Sequence, residues 1–214
     1  MIRFTLIALL AITALQAKTI DCYVNKSKAC VEAAANKLPA SPAAYLALRN
    51  RIGKTPQGGA TLFIYALMQR QFNQDLSYKL LVLARHEGAL SKSGSKLNYK
   101  GYSLPRSDFY LLRQADKYPH CIRSYARGSS PANNYTLNKG SVGLNFRNQT
   151  RYVGDIKKGK YKVFVCSTGT STCRPLSLVR NKKGFWKVKE FSSVVVGCRK
   201  PTKSDSSHDA ADDL

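Results

Sequence analysis

The chain has 214 residues and carries 35 Lys and Arg against 12 Asp and Glu, a formal net charge of +23 at pH 7. Despite this charge, an apolar fraction of 43% with 10% aromatic residues excludes an intrinsically disordered chain. The length suits one domain and is ample for a hydrophobic core.

The first seventeen residues have the pattern of a secretory signal peptide. Arg3 supplies a short positive region, the run from Phe4 to Leu15 is apolar, and Ala17 is a small residue suited to cleavage. A transmembrane anchor is disfavoured, because a spanning helix needs roughly 20 apolar residues. The sequence therefore predicts a secreted or periplasmic protein from which residues 1–17 are removed.

Six cysteines follow this leader, an even number that an oxidising compartment would pair. Zinc is the competing use, but the sequence has no CxxC motif and its three histidines are scattered. The prediction is therefore no metal site, and disulfides among Cys22, Cys30, Cys121, Cys166, Cys173 and Cys198.

Proximity along the chain favours some of the 15 possible pairings over others. A two-residue turn at Gly169-Thr170 would place Cys166 opposite Cys173 in a hairpin, although Pro175 cannot donate a hydrogen bond to that ladder. The other local pair is Cys22 with Cys30, and elimination leaves Cys121 with Cys198.

The first half of the chain after the leader is predicted to be helical. Ser41-Pro42 and Thr55-Pro56 each place a capping hydroxyl before a proline, which is typical of a helix start. Residues Ala60–Phe72 are apolar nearly all round and predict a central buried helix. Two more helices are predicted over Asp75–His86 and Pro105–Lys117.

From Ile122 onward, short alternating runs separated by Gly, Asn and Pro predict strands. The predicted strands are Tyr161–Cys166, Leu176–Arg180, Phe185–Lys189 and Val194–Cys198. Helices followed by strands indicate an α+β fold, in which an N-terminal half of about four helices packs on a small C-terminal antiparallel sheet or barrel. The predicted parts are one domain over 18–201, with a helical half (18–119) and a β half (120–201), and a disordered acidic tail (202–214).

Four stretches in a fixed order span about residues 40–201. They are Gly58-Gly59-Ala60 before the apolar helix, Tyr99–Tyr102, Arg123–Tyr135 and Tyr161–Pro201. In this order they resemble an uncharacterised domain family of exported bacterial proteins. The resemblance implies no activity and no site residue. It also implies that the disulfides are an addition to the family pattern, which more usually has small or aliphatic residues at Cys166, Cys173 and Cys198.

Groups suited to catalysis are scarce. His86-Glu87 lacks the second histidine of a zinc hydrolase and is interpreted as a cation at a helix C-terminus. His120-Cys121 could indicate a thiol nucleophile, but a disulfide is the favoured role of Cys121. The sequence predicts no enzyme and no cofactor; the alternative is a cell-wall or nucleic-acid hydrolase.

The charge of the exported chain is concentrated in its second half. Residues 18–201 hold 33 basic and 8 acidic residues, and 20 of the basic ones follow Leu104. This predicts a cationic β half that binds an anionic polymer or surface such as nucleic acid, lipopolysaccharide or acidic lipid. Two alternatives are a charge that only keeps the protein soluble and a secreted inhibitor or toxin accessory protein. The predicted anion-binding residues are Lys157, Lys158, Lys160, Lys162, Arg180, Lys182, Lys183, Lys187 and Lys189.

Overall fold

The computed structural model describes residues 30–92, 98–137, 140–149 and 151–202, with side chains from Ala34 onward. The predicted leader, Cys22, the side chain of Cys30 and residues 203–214 of the predicted tail lie outside the described residues. Within the described ranges, no helix is both long enough and apolar enough to cross a bilayer.

Five α-helices are found in the described chain, all of them before the main run of strands. They are α1 (Pro42–Ile52), α2 (Pro56–Met68), α3 (Gln74–Ala84), α4 (Arg106–Lys117) and α5 (Pro119–Arg123). The two predicted caps are confirmed, since the Ser41 hydroxyl accepts from the Ala44 N–H and the Thr55 hydroxyl from the Gly58 N–H, each at 3.1 Å. Each cap satisfies a backbone donor that the first helical turn leaves without a partner.

Six of the described strands form the main sheet: β1 (Cys30–Asn36), β4 (Val142–Arg147), β5 (Gly154–Asp155), β6 (Lys160–Cys166), β7 (Arg174–Arg180) and β8 (Trp186–Glu190). This sheet is antiparallel with the order β1-β4-β6-β7-β8, and β5 pairs with β6. Two short strands, β2 (Ser91–Lys92) and β3 (Tyr102–Ser103), make a separate hairpin. The predicted α+β class is confirmed.

Helix α2 is the centre of the core, as its apolar sequence predicts. All but one of its residues are buried, and the Phe63 ring lies 4.8 Å from the Phe191 ring. A Cβ on Gly59 would stand 2.6 Å from the Trp186 carbonyl oxygen, so glycine lets the helix approach β8 closely. The helix ends at Met68 instead of Phe72, whose side chain is 53% exposed.

The last predicted strand, Val194–Cys198, is wrong. Ser192–Val195 form a 3₁₀ turn, in which the Val194 carbonyl accepts from the buried Tyr125 hydroxyl at 3.0 Å. Val194 and Val195 are buried, so packing into the core explains this apolar run, and strand pairing does not.

The outer edge of β8 is covered by backbone from the helical layer. The Trp186 N–H donates to the Gly53 carbonyl and the His86 N–H donates to the Val188 carbonyl, both at 2.9 Å. Arg85 forms a parallel bridge with Val188. These contacts bring the end of α3 against β8 and position the site described next.

Candidate functional site

A cleft of about 870 Å³ opens between the end of α3, the β2–β3 hairpin and the β7–β8 turn. Its apolar wall includes Val82, Leu83 and Leu90. Among the described lining residues Glu87 is the single carboxylate. We call this feature the basic cleft, because its lining also includes seven cationic residues, Arg85, Lys92, Lys100, Arg180, Lys182, Lys183 and Lys187.

The β7–β8 turn presents two of these lysines. The Asn181 side-chain oxygen accepts from the Lys183 N–H at 3.0 Å and from the Phe185 N–H at 2.9 Å, which fixes the turn from inside. Gly184 has a φ of +82°, a conformation that glycine adopts without strain. The side chains of Lys182 and Lys183 remain exposed at the tip.

The opposite wall carries a tight turn, Tyr99–Tyr102. Tyr99 and Tyr102 exchange backbone hydrogen bonds, and Lys100 and Gly101 between them have φ values of +54° and +82°. Glycine tolerates this left-handed region, whereas a lysine there costs about 1 kcal/mol. The fold therefore holds Lys100 in an unfavourable backbone conformation at the rim of the basic cleft.

Lys187 points into the basic cleft from β8. Its ammonium donates to the Leu83 carbonyl, one of the last carbonyls of α3, and its side chain is half-buried. Burial lowers the pKa of Lys187 to about 8, and the charge of Arg49 acts in the same direction. No carboxylate within the described ranges forms an ion pair with it.

His86 does not close a helix, because α3 ends two residues earlier at Ala84 and the backbone there turns to meet β8. Its interpretation as a helix-terminal cation is therefore wrong. The His86 Nδ1 atom accepts from the Gly88 N–H at 3.1 Å, so the neutral ring carries its proton on Nε2. Burial lowers the pKa of His86, although Glu87 opposes this shift.

Glu87 is engaged within the cleft. The Tyr102 hydroxyl donates to its Oε1 atom at 2.8 Å, which raises the pKa of Tyr102 because losing that proton would leave two negative groups in contact. The contact joins the short turn after α3 to the β2–β3 hairpin.

Arg85, which lines the cleft, forms a buried ion pair with Asp108. Arg85 Nε lies 2.9 Å from Asp108 Oδ2, and each side chain is 5% exposed. The guanidinium also donates to the Lys189 carbonyl at 2.6 Å and lies 4.9 Å from the centre of the Phe191 ring. Through these contacts Arg85 ties the end of α3 to β8 and to the first turn of α4.

The structure divides the predicted anion-binding residues. Arg180, Lys182, Lys183 and Lys187 line the basic cleft. The remaining lysines lie outside its lining, on the β5–β6 turn and strand β6 (Lys157, Lys158, Lys160, Lys162) and near the end of β8 (Lys189).

The β5–β6 turn still adjoins the cleft, because the Arg180 guanidinium donates to the Lys157 carbonyl at 3.0 Å. Sequence reasoning missed Lys92 and Lys100, which come from the half of the chain with less charge. Gly101, between Lys100 and Tyr102, was the available signal, since glycine is a common turn residue.

The two predicted disulfide pairs among the described side chains, Cys121–Cys198 and Cys166–Cys173, are present. We call their surroundings the disulfide corner, which consists of these two pairs, Ser124, Tyr135 and the 167–172 loop.

The predicted two-residue turn between Cys166 and Cys173 is wrong. The ladder ends at Val165 opposite Arg174, because loop groups find other partners: Thr168 N–H donates to the Ser124 carbonyl at 3.0 Å, and Arg199 N–H to the Gly169 carbonyl at 2.7 Å.

The disulfide corner also brings one histidine to two sulfurs. Ligand atoms of His120, Cys121 and Cys198 lie within 4.8 Å of one another. Because both sulfurs are joined in a disulfide, the group offers no thiolate to a metal in this form. The His120 ring instead stacks on Tyr135, with ring centres 5.9 Å apart.

Comparison with known proteins gives a family but no activity. Searches of the curated proteins and of the solved structures found no match. A family model matches residues 37–202, the stretch over which the sequence motifs resemble an uncharacterised family. The basic cleft and the disulfide corner both lie inside this range. The chain therefore belongs to the family described as Domain of unknown function (DUF6935).

Proposed function

We propose that the protein is exported and binds an anionic polymer or surface through the basic cleft, without catalysing a reaction. The observation that carries this proposal is a set of cations of which most have no carboxylate partner. Seven Lys and Arg residues line the cleft. Within the described ranges, Arg85 pairs with Asp108 and the other six form no ion pair with a carboxylate. Such a concentration of cations attracts polyanions and is neutralised when one binds.

The adjoining β5–β6 turn extends the same charge beyond the cleft. Lys157, Lys158 and Lys160 are exposed there. The nearby carboxylate of Asp155 accepts from the Lys157 N–H at 2.8 Å and the Lys158 N–H at 3.3 Å, so it serves the turn. A polymer lying across the turn and the cleft would contact cations along its length. This arrangement favours a polymer or a surface as the ligand.

Export is supported by the pattern of the first seventeen residues and by two cysteine pairs at disulfide distance. Disulfides persist in oxidising compartments and are rare where thiols are kept reduced. An exported cationic protein would encounter anionic envelope polymers and extracellular nucleic acid.

A hydrolase is the second candidate function, because the cleft is concave and contains both His86 and Glu87. A catalytic base needs an imidazole nitrogen with a free lone pair. In this structure Nδ1 of His86 accepts from Gly88, and the neutral ring therefore presents an N–H at Nε2. A group that donates in this way suits binding of an anion better than removal of a proton.

The test compares two double variants with the same change in net charge. Lys182→Glu with Lys183→Glu alters the cleft, and Arg113→Glu with Lys117→Glu alters exposed positions of α4. The mature protein and both variants are eluted from heparin and from DNA resin with a salt gradient. We expect the cleft variant to elute at clearly lower salt than the α4 variant.

Equal shifts for the two variants would show that retention follows net charge alone and would overturn the proposal. Cleavage of nucleic acid or cell-wall polymer by the wild-type protein, lost in His86→Ala, would instead establish the hydrolase.

A further inference from the structure

The basic cleft contains a lysine whose surroundings differ from those of its other lysines. Lys182 and Lys183 are exposed at a turn, whereas Lys187 lies half-buried on β8 with Leu83 beside it. The charge that acts on its ammonium is that of Arg49, another cation, and no described carboxylate pairs with it.

This setting favours the neutral amine. Desolvation and a neighbouring cation both make the ammonium form less stable, and they lower the pKa of Lys187 to about 8. A lysine desolvated in a cleft beside other cations is one of the ordinary forms of an activated amine nucleophile. Nearby cations would also recruit a reactant that carries negative charge.

We propose that Lys187 forms an imine with an anionic aldehyde bound in the basic cleft, a class that includes the open-chain form of a phosphorylated or carboxylated sugar. The inference rests on the proposed function, because the anionic group of the aldehyde is held by the same cations. Arg180, Lys182 and Lys183 line the cleft with Lys187 and supply those contacts. A volume of about 870 Å³ is within the range of small-molecule sites.

The reaction needs no oxidant or reductant. The lone pair of the neutral Nζ attacks the carbonyl carbon, a C–N bond forms as the C=O π bond breaks, and one nitrogen-bound proton passes to the carbonyl oxygen, which becomes a hydroxyl. The hydroxyl takes a proton from solvent and leaves as water, and the nitrogen releases its second proton to solvent, which leaves the C=N bond. The reaction is reversible, because water in the open cleft hydrolyses the imine to the amine and the aldehyde.

A structural role for Lys187 is the competing explanation, since a cation near the last carbonyls of α3 is itself favourable. Lys187→Arg separates the two roles. Arginine keeps the positive charge and the donors, and its always-protonated guanidinium forms no imine under these conditions.

The experiment uses pyridoxal 5′-phosphate as the probe, at one equivalent to the oxidised mature protein, at pH 7.5. Borohydride then reduces the C=N bond to a stable amine, and peptide mass spectrometry locates the label. We expect Lys187 to be labelled at least about tenfold faster than the exposed Lys158, because burial and the charge of Arg49 favour the neutral amine of Lys187. Lys187→Arg should lose this label.

The phosphate contact is tested with pyridoxal, which lacks the phosphate. Replacing Lys182 and Lys183 by alanine should slow labelling of Lys187 by pyridoxal 5′-phosphate several-fold and leave the slower labelling by pyridoxal unchanged. Labelling spread over exposed lysines with Lys187 unmodified would overturn the inference. If Lys187 stays unmodified while retention on heparin still depends on the cleft, imine formation is ruled out and the proposed function stands. If retention does not depend on the cleft but Lys187 is labelled selectively, polymer binding is ruled out and imine formation stands.

Discussion

The basic cleft and the disulfide corner differ in the partners of their polar side chains. In the corner, the Ser124 hydroxyl contacts the Cys121 carbonyl and the Ser167 hydroxyl, each at 2.6 Å, and the Tyr135 hydroxyl donates to the Arg199 carbonyl at 2.8 Å. In the cleft, six of the seven cationic side chains have no carboxylate partner in the described chain. Polar groups that serve the fold are satisfied internally. The polar groups of the corner therefore contribute to stability, whereas the unpaired cations of the cleft are the feature on which the binding proposal rests.

The largest expected loss of stability comes from removing the long-range disulfide of the disulfide corner. Cys121 and Cys198 close a loop of 77 residues, so replacing both by serine should lower the free energy of unfolding by about 4.5 kcal/mol through the entropy of the unfolded chain. The same change at Cys166 and Cys173, separated by 7 residues, should cost about 2 kcal/mol. Urea unfolding at 25 °C measures both losses, and equal losses would contradict the loop-length explanation.

The stability of the region around the cleft depends on the ion pair between Arg85 and Asp108. Asp108→Asn leaves the Arg85 guanidinium buried without a counter-charge, and we expect a loss of about 4 kcal/mol in the free energy of unfolding. Asp75→Asn is the matched control, because its pair with Lys79 is exposed and should cost less than about 0.5 kcal/mol. Chemical denaturation of both variants is the measurement, and a loss at Asp108 as small as that at Asp75 would show that the pair does not support the cleft.

A pH series tests the environment of Lys187. Because burial lowers its pKa from 10.5 to about 8, the folded state holds fewer protons on this amine than the unfolded state between these pH values. Stability therefore rises with pH in that window, and the cost of the buried charge is fully present below pH 8. Relative to Lys187→Met, the wild-type free energy of unfolding should rise by about 2 kcal/mol between pH 7 and pH 10. Parallel curves for the two proteins would contradict the shift.

The smallest expected effect concerns the turn at the cleft rim. Lys100→Gly relieves the left-handed backbone, and we expect the melting temperature to rise in line with a gain of about 0.5 to 1 kcal/mol. The same variant should elute from heparin at lower salt, because a cation of the cleft is lost. Lys100→Asn provides a second comparison, since asparagine tolerates this conformation. A loss of stability in both variants would mean that the lysine side chain itself stabilises the turn.

Local signals predicted much of the helical layer and three strands. The hydroxyl-proline pairs at Ser41 and Thr55 act within one turn of helix, so their sequence suffices to place α1 and α2. Strands β6, β7 and β8 alternate in burial and are separated by short connections, which makes their pattern readable.

Other parts of the fold depend on partners far away in the chain. Strand β1 pairs with β4 across more than a hundred residues, so no local signal links the two. The β4 sequence does alternate, with Val142, Leu144 and Phe146 apolar, and this readable strand signal was missed. Val194 and Val195 have strong strand propensity but pack as a 3₁₀ turn under Tyr125. Tertiary packing decided the conformation of these two valines, and local propensity did not.

The candidate site was predicted in part. The lysines of the β7–β8 turn stand out because they are close together in sequence. The basic cleft itself combines that turn with the end of α3 and with Lys100, and this juxtaposition is created by the contact between β8 and the backbone of Arg85 and His86.

That same backbone contact limits how copies of the protein can associate. An uncovered margin of a sheet is a template on which a second chain can add a strand, and such addition leads to fibres. Along β8, the Trp186 amide and the Val188 carbonyl are already occupied by Gly53 and His86. Polymerisation from this side would first require the segment after α3 to detach, so ordered growth of aggregates here is coupled to local unfolding.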